Sequence, residues 1–190
     1  MISRSGLLTR IGLGLGAVSA GAAAARGLAA AGASGKPTQD HEVLLFALTL
    51  EELQSAFYSQ ALNAGKLTGE VRQFAEVVGG QERDHLRYLR GALGSAAPPP
   101  PKFTFGDAIT DQKRFLATAV MLEDTGLAAY NGQTTNLSAK TLKEIGKVIS
   151  VEARHSAWVR SLDGRQPAPV AVDVPISAAQ AHADLKSLMT

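Results

Sequence analysis

Two tetrapeptides in this sequence pair a carboxylate with an imidazole at the same spacing. Glu82 and His85 stand three residues apart in VVGGQERDHLRYL (77–89), and Glu152 and His155 repeat the step 70 residues later in VEARHSAWVRSL (151–162). In a helix, an i, i+3 spacing turns both side chains to one side. Upstream of each copy lies another glutamate, followed seven residues on by a tyrosine: Glu51 with Tyr58, and Glu123 with Tyr130. Glu51 precedes Glu82 by 31 residues and Glu123 precedes Glu152 by 29, so the two halves are built alike. Carboxylates and imidazoles aimed together into a helical bundle are the donors of a metal site.

One Glu-x-x-His tetrapeptide is a weak signal, because both residues are common on solvated helix faces. Two copies, each preceded at matching distance by a glutamate within an apolar pattern, weigh against that plain reading. The chain has four histidines, and two of them fall at these positions. Four carboxylates buried without compensation would each bear a heavy desolvation penalty and would repel one another. Two divalent cations resolve that conflict, and two neutral imidazoles complete the set.

Composition narrows the chemistry further. At 190 residues the chain is long enough for one domain plus appendages. The absence of cysteine excludes disulfides, zinc–thiolate sites, iron–sulfur clusters and thiol nucleophiles together. Oxygen and imidazole donors suit iron, manganese or zinc, and the residues alone leave all three open. The pI near 9.0 is mainly a property of the first residues, where Arg4, Arg10, Arg26 and Lys36 precede any acid. Without residues 1–33, 16 basic side chains face 17 acidic ones, so no electrostatic footprint for nucleic acid remains.

The elements that must position these groups follow from hydrophobic periodicity. Residues 1–33 have the parts of an export signal: a basic start, an apolar stretch from Ile11 through Ala25, and an Ala31-Gly32-Ala33 cleavage pattern, with Ala23-Ala24-Ala25 as a second candidate. An uncleaved anchor helix is the alternative. Ser3-Arg4-Ser5-Gly6-Leu7-Leu8-Thr9 resembles a twin-arginine signal in which Ser5 replaces the second arginine, which leaves the export route open. Residues 34–39 read as a linker, 40–163 as four helices and 164–190 as a C-terminal extension.

In the first helix, Leu44, Leu48, Glu51, Ser55, Tyr58 and Leu62 trace one side, capped by Thr38 or Asp40, with Glu52 on the wetter side. The second helix begins near Thr68 or Glu70 and shows Val71, Phe74, Val78, Glu82, His85 and Leu89. Gly79-Gly80 marks either close packing, a local distortion or a break between two shorter helices. The third presents Leu116, Val120, Glu123, Leu127 and Tyr130, fading at Asn131-Gly132, and the fourth Leu142, Ile145, Val148, Ile149, Glu152, His155 and Val159 up to Gly164. Between helices two and three, Pro98 to Pro101 form a stiff extended run at about 3 Å per residue, enough for a crossover along a bundle about 30 Å tall. Ser177 to Met189 predicts a short amphipathic helix with His182 at its surface.

This pattern resembles the ferritin-like superfamily, whose di-iron members include ferritins, bacterioferritins and rubrerythrins and whose ligand set is a known one for helix bundles. The resemblance covers about residues 40–163. Leu50-Glu51-Glu52-Leu53 followed by Phe57-Tyr58 is similar to the first helix of exported ferritin-like domains. It implies an all-α, ferritin-like four-helix bundle with a long crossover between helices two and three. It also implies that Glu82 and Glu152 bridge two metals, that Glu51 and Glu123 are terminal ligands, and that His85 and His155 each bind one metal. Tyr58 and Tyr130 are then either hydrogen-bond donors behind the terminal glutamates or ordinary core aromatics, and Trp158 packs nearby or fills core.

The expected activity is that of an exported, periplasmic or extracellular protein with two iron ions, or manganese, which oxidises Fe(II) or reduces O2 or peroxide. An envelope binding or stress-protective bundle with an empty or structural site is the alternative, and dimanganese peroxide dismutation a third. No nucleic-acid partner is expected, membrane contact is confined to the export signal, and homo-oligomerisation is left open.

Overall fold

The computed structural model describes residues 37–189, and the export signal read at 1–33 lies outside the described residues. Four long helices form the bundle: α1 Pro37–Ala64, α2 Gly69–Leu93, α3 Gln112–Gln133 and α4 Ala139–Leu162, with a short α5 Ala178–Leu185 packed on α3. Among the described residues no helix is long and apolar enough to cross a membrane. The tight links fall between α1 and α2 and between α3 and α4, while residues 94–111 make the long crossover, as the proline run requires.

Several local expectations meet a correction. Helix α1 starts at Pro37, a residue whose missing N–H suits a first turn, so neither Thr38 nor Asp40 caps it. Asp40 instead reaches across to the start of α4, where its carboxylate accepts from Ser138 N (2.7 Å), Ser138 Oγ (2.6 Å) and Thr141 Oγ1 (2.6 Å). Ser138 in turn caps α4 by accepting from Thr141 N. Desolvation pushes the Asp40 carboxyl up, but these bonds outweigh it and hold it below its ordinary value of 3.8.

Gly79-Gly80 breaks nothing, for α2 runs through it unbroken. A Cβ at Gly79 would lie 2.8 Å from Tyr58 Cβ, so this glycine lets α2 close onto α1 at a tyrosine of the site. In α3 the buried residue of the first turns is Phe115, with Leu116 only half-buried, and the helix runs past Asn131-Gly132 to Gln133. Phe115 takes that place because its ring stacks on Phe57 at 5.0 Å.

The apolar core has two parts. An aromatic part gathers Phe57, Phe74, Phe105 and Phe115, with Trp158 edge-on to Phe74 at 5.2 Å. The other holds Val43, Leu48, Leu89, Leu137, Ile145 and Val148. Along each of the four long helices the predicted ligand residues fall between the two parts, so a polar layer divides the core.

The C-terminal extension is tied down at two points. Ile176 N donates to Ala128 O at 3.1 Å, and a Cβ on Gly132 would stand 1.9 Å from Ile176 O. The extended segment before α5 can cross α3 there only because Gly132 has no side chain. At the chain end, Thr104 N donates to Leu188 O at 3.1 Å, and Phe103 and Met189 form an isolated antiparallel bridge, which pins the crossover. His182 is exposed, as expected.

Two substitutions test these contacts. Gly132→Ala must displace backbone, and overpacking of this kind costs about 1–3 kcal/mol; urea unfolding should show the loss, and proteolysis should nick residues 166–176 first. Asp40→Ala removes charge-assisted hydrogen bonds and should cost about 1.5–3 kcal/mol at neutral pH. Because the folded-state pKa is depressed, that contribution is full above about pH 4 and is lost as pH falls through the folded value. The gap between wild type and Asp40→Ala in denaturant midpoint should therefore close on acidification.

Candidate metal centre

Each long helix delivers its part of the layer. Glu51 comes from α1, Glu82 and His85 from α2, Glu123 from α3, and Glu152 and His155 from α4, all of them buried. The i, i+3 step does what helical geometry requires and turns both members of each Glu-x-x-His pair inward. His85 Nδ1 lies 3.0 Å from Glu152 Oε1 and 3.4 Å from both Glu51 Oε2 and Glu82 Oε2. His155 Nδ1 lies 2.9 Å from Glu82 Oε1, 3.6 Å from Glu123 Oε2 and 3.8 Å from Glu152 Oε1.

The six residues form two overlapping groups, Glu51, Glu82, His85 and Glu152 in one and Glu82, Glu123, Glu152 and His155 in the other, with donor atoms in each group within 4.8 Å of one another. Glu82 and Glu152 belong to both. Donor atoms about 2.1 Å from a common ion lie about 3–4 Å apart, which is the spacing seen here. Such a cluster can hold two metal ions.

The hydrogen-bond account points the same way. Among the described residues, ten buried side-chain nitrogens and oxygens have no hydrogen-bond partner, and eight of them are Glu51 Oε2, both oxygens of Glu82 and of Glu152, Glu123 Oε2 and the Nδ1 atoms of His85 and His155. Orphaned buried polar atoms are rare, and each one calls for an explanation. These eight all face the interior of the layer. The opposite oxygens of the two remaining glutamates are satisfied by protein: Tyr58 Oη donates to Glu123 Oε1 at 2.5 Å, and Tyr130 Oη to Glu51 Oε1 at 2.5 Å.

That pairing is crossed. Each tyrosine serves the glutamate of the other half, not the one seven residues back on its own helix. Seven residues climb about 10 Å of helix, too far for a direct bond, whereas the facing helix brings the other glutamate level. Trp158 packs on Phe74 in the aromatic part of the core.

The electrostatics express the crowding of like charge. Burial, with the negative charge of Glu51 and Glu123 beside it, pushes the Glu82 carboxyl well up. Burial and the charges of Glu82 and Glu51 do the same to Glu152. Glu51 is also desolvated, but the neighbouring His85 imidazole and Glu82, with the Tyr130 hydroxyl, hold its carboxyl below the ordinary range. Burial pulls the His85 imidazole down, yet Glu152, Glu51 and Glu82 outweigh it and raise it to about 12. Burial and the facing carboxylates raise both tyrosines well above the phenol range, so each keeps its proton to donate.

A family model for the ferritin-like domain matches residues 39–165, about two thirds of the chain. The chain belongs to the ferritin-like family. A search of curated proteins finds no match.

In this ferritin-like bundle the two-fold repeat reaches further than the six candidate ligands. Glu52 follows Glu51 and is ion-paired with Arg90 of α2, and Asp124 follows Glu123 and is ion-paired with Arg160 of α4. Each arginine stands eight residues after the glutamate of its own Glu-x-x-His pair. Helical periodicity placed Glu52 in water, but α2 covers it to 4 % exposure and Arg90 compensates its charge. Burial pushes the Glu52 carboxyl up, and Arg90 restores only part of the shift. Ser156 Oγ adds a 2.6 Å bond to Asp124. The signal that finds both pairs is the matching offset, Glu51-Glu52 with Glu123-Asp124 and Arg90 with Arg160.

Gln54 is a second surprise. It is 2 % exposed, and neither amide atom has a partner. It faces Gly126, where a Cβ would come within 3.4 Å of Gln54 Nε2.

Tyr58→Phe and Tyr130→Phe each strip a donor from a buried carboxylate without changing its bulk. Each should lower the unfolding free energy of the metal-free protein by about 1–3 kcal/mol, read by urea titration. Unchanged midpoints in both variants would show that the crossed bonds are not made in solution.

Proposed function

We propose that this chain is an exported dinuclear carboxylate protein that binds two iron ions and oxidises Fe(II) with O2 or peroxide. The observation that carries the reading is the set of eight partnerless donor atoms, which turn inward in two groups sharing Glu82 and Glu152. When bound, a pair of ferrous ions supplies the two electrons that reduce the oxidant.

The chain's own residues have distinct tasks in that reading. Glu82 and Glu152, present in both groups, would serve both ions, while Glu51 with His85 and Glu123 with His155 would complete one subsite each. Four carboxylates balance the charge of two divalent cations, so loading the site relieves the repulsion that burial creates. Tyr130 and Tyr58 fix the outer oxygens of Glu51 and Glu123 and leave the inner ones free to bind. The apolar parts on either side keep bulk water from the reacting region. Manganese meets the same donors, and metal analysis separates the two. Export rests on the basic start and apolar run of residues 1–33.

Oxygen-free titration with Fe2+ should saturate at two ions per chain, with oxygen uptake on admission of air. Glu82→Ala and Glu152→Ala should each abolish uptake at both positions. A ligand held only by the folded state stabilises it by about 2.7 kcal/mol at 100 times its Kd, so Tm should rise with added metal. A wild-type chain that binds no iron, or whose Tm is indifferent to it, would sink the proposal.

A further inference from the structure

The two halves of the centre differ around their imidazoles. His155 Nε2, the ring nitrogen turned away from the carboxylates, lies 2.6 Å from Gln81 Oε1, while its Nδ1 faces Glu82 at 2.9 Å. An amide oxygen only accepts. The bond therefore places the ring hydrogen on Nε2 and leaves the Nδ1 lone pair free for a cation. Gln81 is exposed and the His155 side chain is 3 % exposed, so the amide covers the ring from outside.

The repeat gives His85 no equivalent. Gln81 directly precedes Glu82, and the residue that directly precedes Glu152 is Val151, whose side chain forms no hydrogen bonds. The His85 side chain is 11 % exposed, the most open of the six, and no hydrogen bond from a described residue reaches its Nε2. Fixing the outer nitrogen of a metal-binding histidine orients the ring and raises its basicity, and loss of such a partner typically costs 10- to 100-fold in metal affinity.

We infer that Gln81 is a positioning residue that makes the two metal subsites unequal. The subsite of His155 binds its ion more tightly, and the subsite of His85, nearest to solvent, fills last and exchanges first. The inference rests on the dinuclear reading above and deepens it, because it assigns an order to two positions that the repeat alone would make equivalent.

The test uses the full chain and Zn2+ alone, a redox-silent probe for oxygen and nitrogen donors. Calorimetric titration of the wild type should resolve two steps. In Gln81→Leu the tighter step should weaken about 10- to 100-fold with the weaker step unmoved, and Gln81→Glu, which keeps an acceptor, should restore it. Proton–nitrogen spectra of the zinc-loaded chain should show a slowly exchanging Nε2 proton on His155 in wild type and Gln81→Glu, lost in Gln81→Leu. Two bound ions with unchanged steps and an unchanged proton in Gln81→Leu would overturn this inference and leave the dinuclear reading intact. Equal weakening of both steps without rescue by Gln81→Glu would also overturn it, because it would mark Gln81 as mere packing. A wild type that takes up no Zn2+ would remove both readings.

Discussion

Four carboxylates in a layer without bulk water are the constraint that the rest of this bundle serves. Their mutual repulsion cannot be screened by solvent, and the apolar parts of the core on either side prevent the layer from opening toward it. Among the described residues, two imidazoles and two phenols are set against these four carboxylates. The phenols satisfy one oxygen each on Glu123 and Glu51, and the remaining oxygens face one another and the imidazoles. A fold that keeps such an arrangement gives up stability while the layer is metal-free, and under the proposed function metal binding would recover it, which links affinity to folding.

Bracing that layer is the task of the surrounding elements. Glu52 with Arg90 fastens α1 to α2 beside Glu51, and Asp124 with Arg160 fastens α3 to α4 beside Glu123. Each ion pair sits one residue along from a glutamate of the layer, so it fixes the helix rotation that aims that glutamate inward. Arg90 also donates to Pro98 O at 3.1 Å, which links this brace to the crossover. The same crossover brings Phe105 edge-on to Phe57 at 5.2 Å and closes the aromatic part of the core.

The bundle and the six converging side chains were legible because two periodicities coincide in them. A 3.6-residue apolar pattern gave the helices, and the duplicated Glu-x-x-His step marked the faces that turn inward. Contacts between distant segments were not legible in that way. Asp40 resembles a cap for its own helix, and only the folded chain brings it to Ser138, 98 residues away. Glu52 reads as solvated until α2 is laid over it, and Phe115 displaces Leu116 because Phe57 waits across the interface. Both tyrosine hydroxyls reach the carboxylate layer, but the antiparallel arrangement that exchanges their partners lies beyond any single helix. Gln81, a polar residue on the exposed side of α2, carries no local mark of its bond to His155.

Gln54 and Gly126 stand at matching positions, each three residues after its half's first glutamate, and in the folded chain they meet. Residues related by near two-fold symmetry that touch each other must lie close to the axis itself, where a side chain from one half occupies the volume its counterpart needs. A second glutamine in place of Gly126 would set its Cβ 3.4 Å from Gln54 Nε2, so the two amides would compete for one space, and two glycines would leave a void in the seam between α1 and α3. A long side chain opposite none fills that seam with one residue, so the duplicated architecture departs from symmetry at the place where its halves meet.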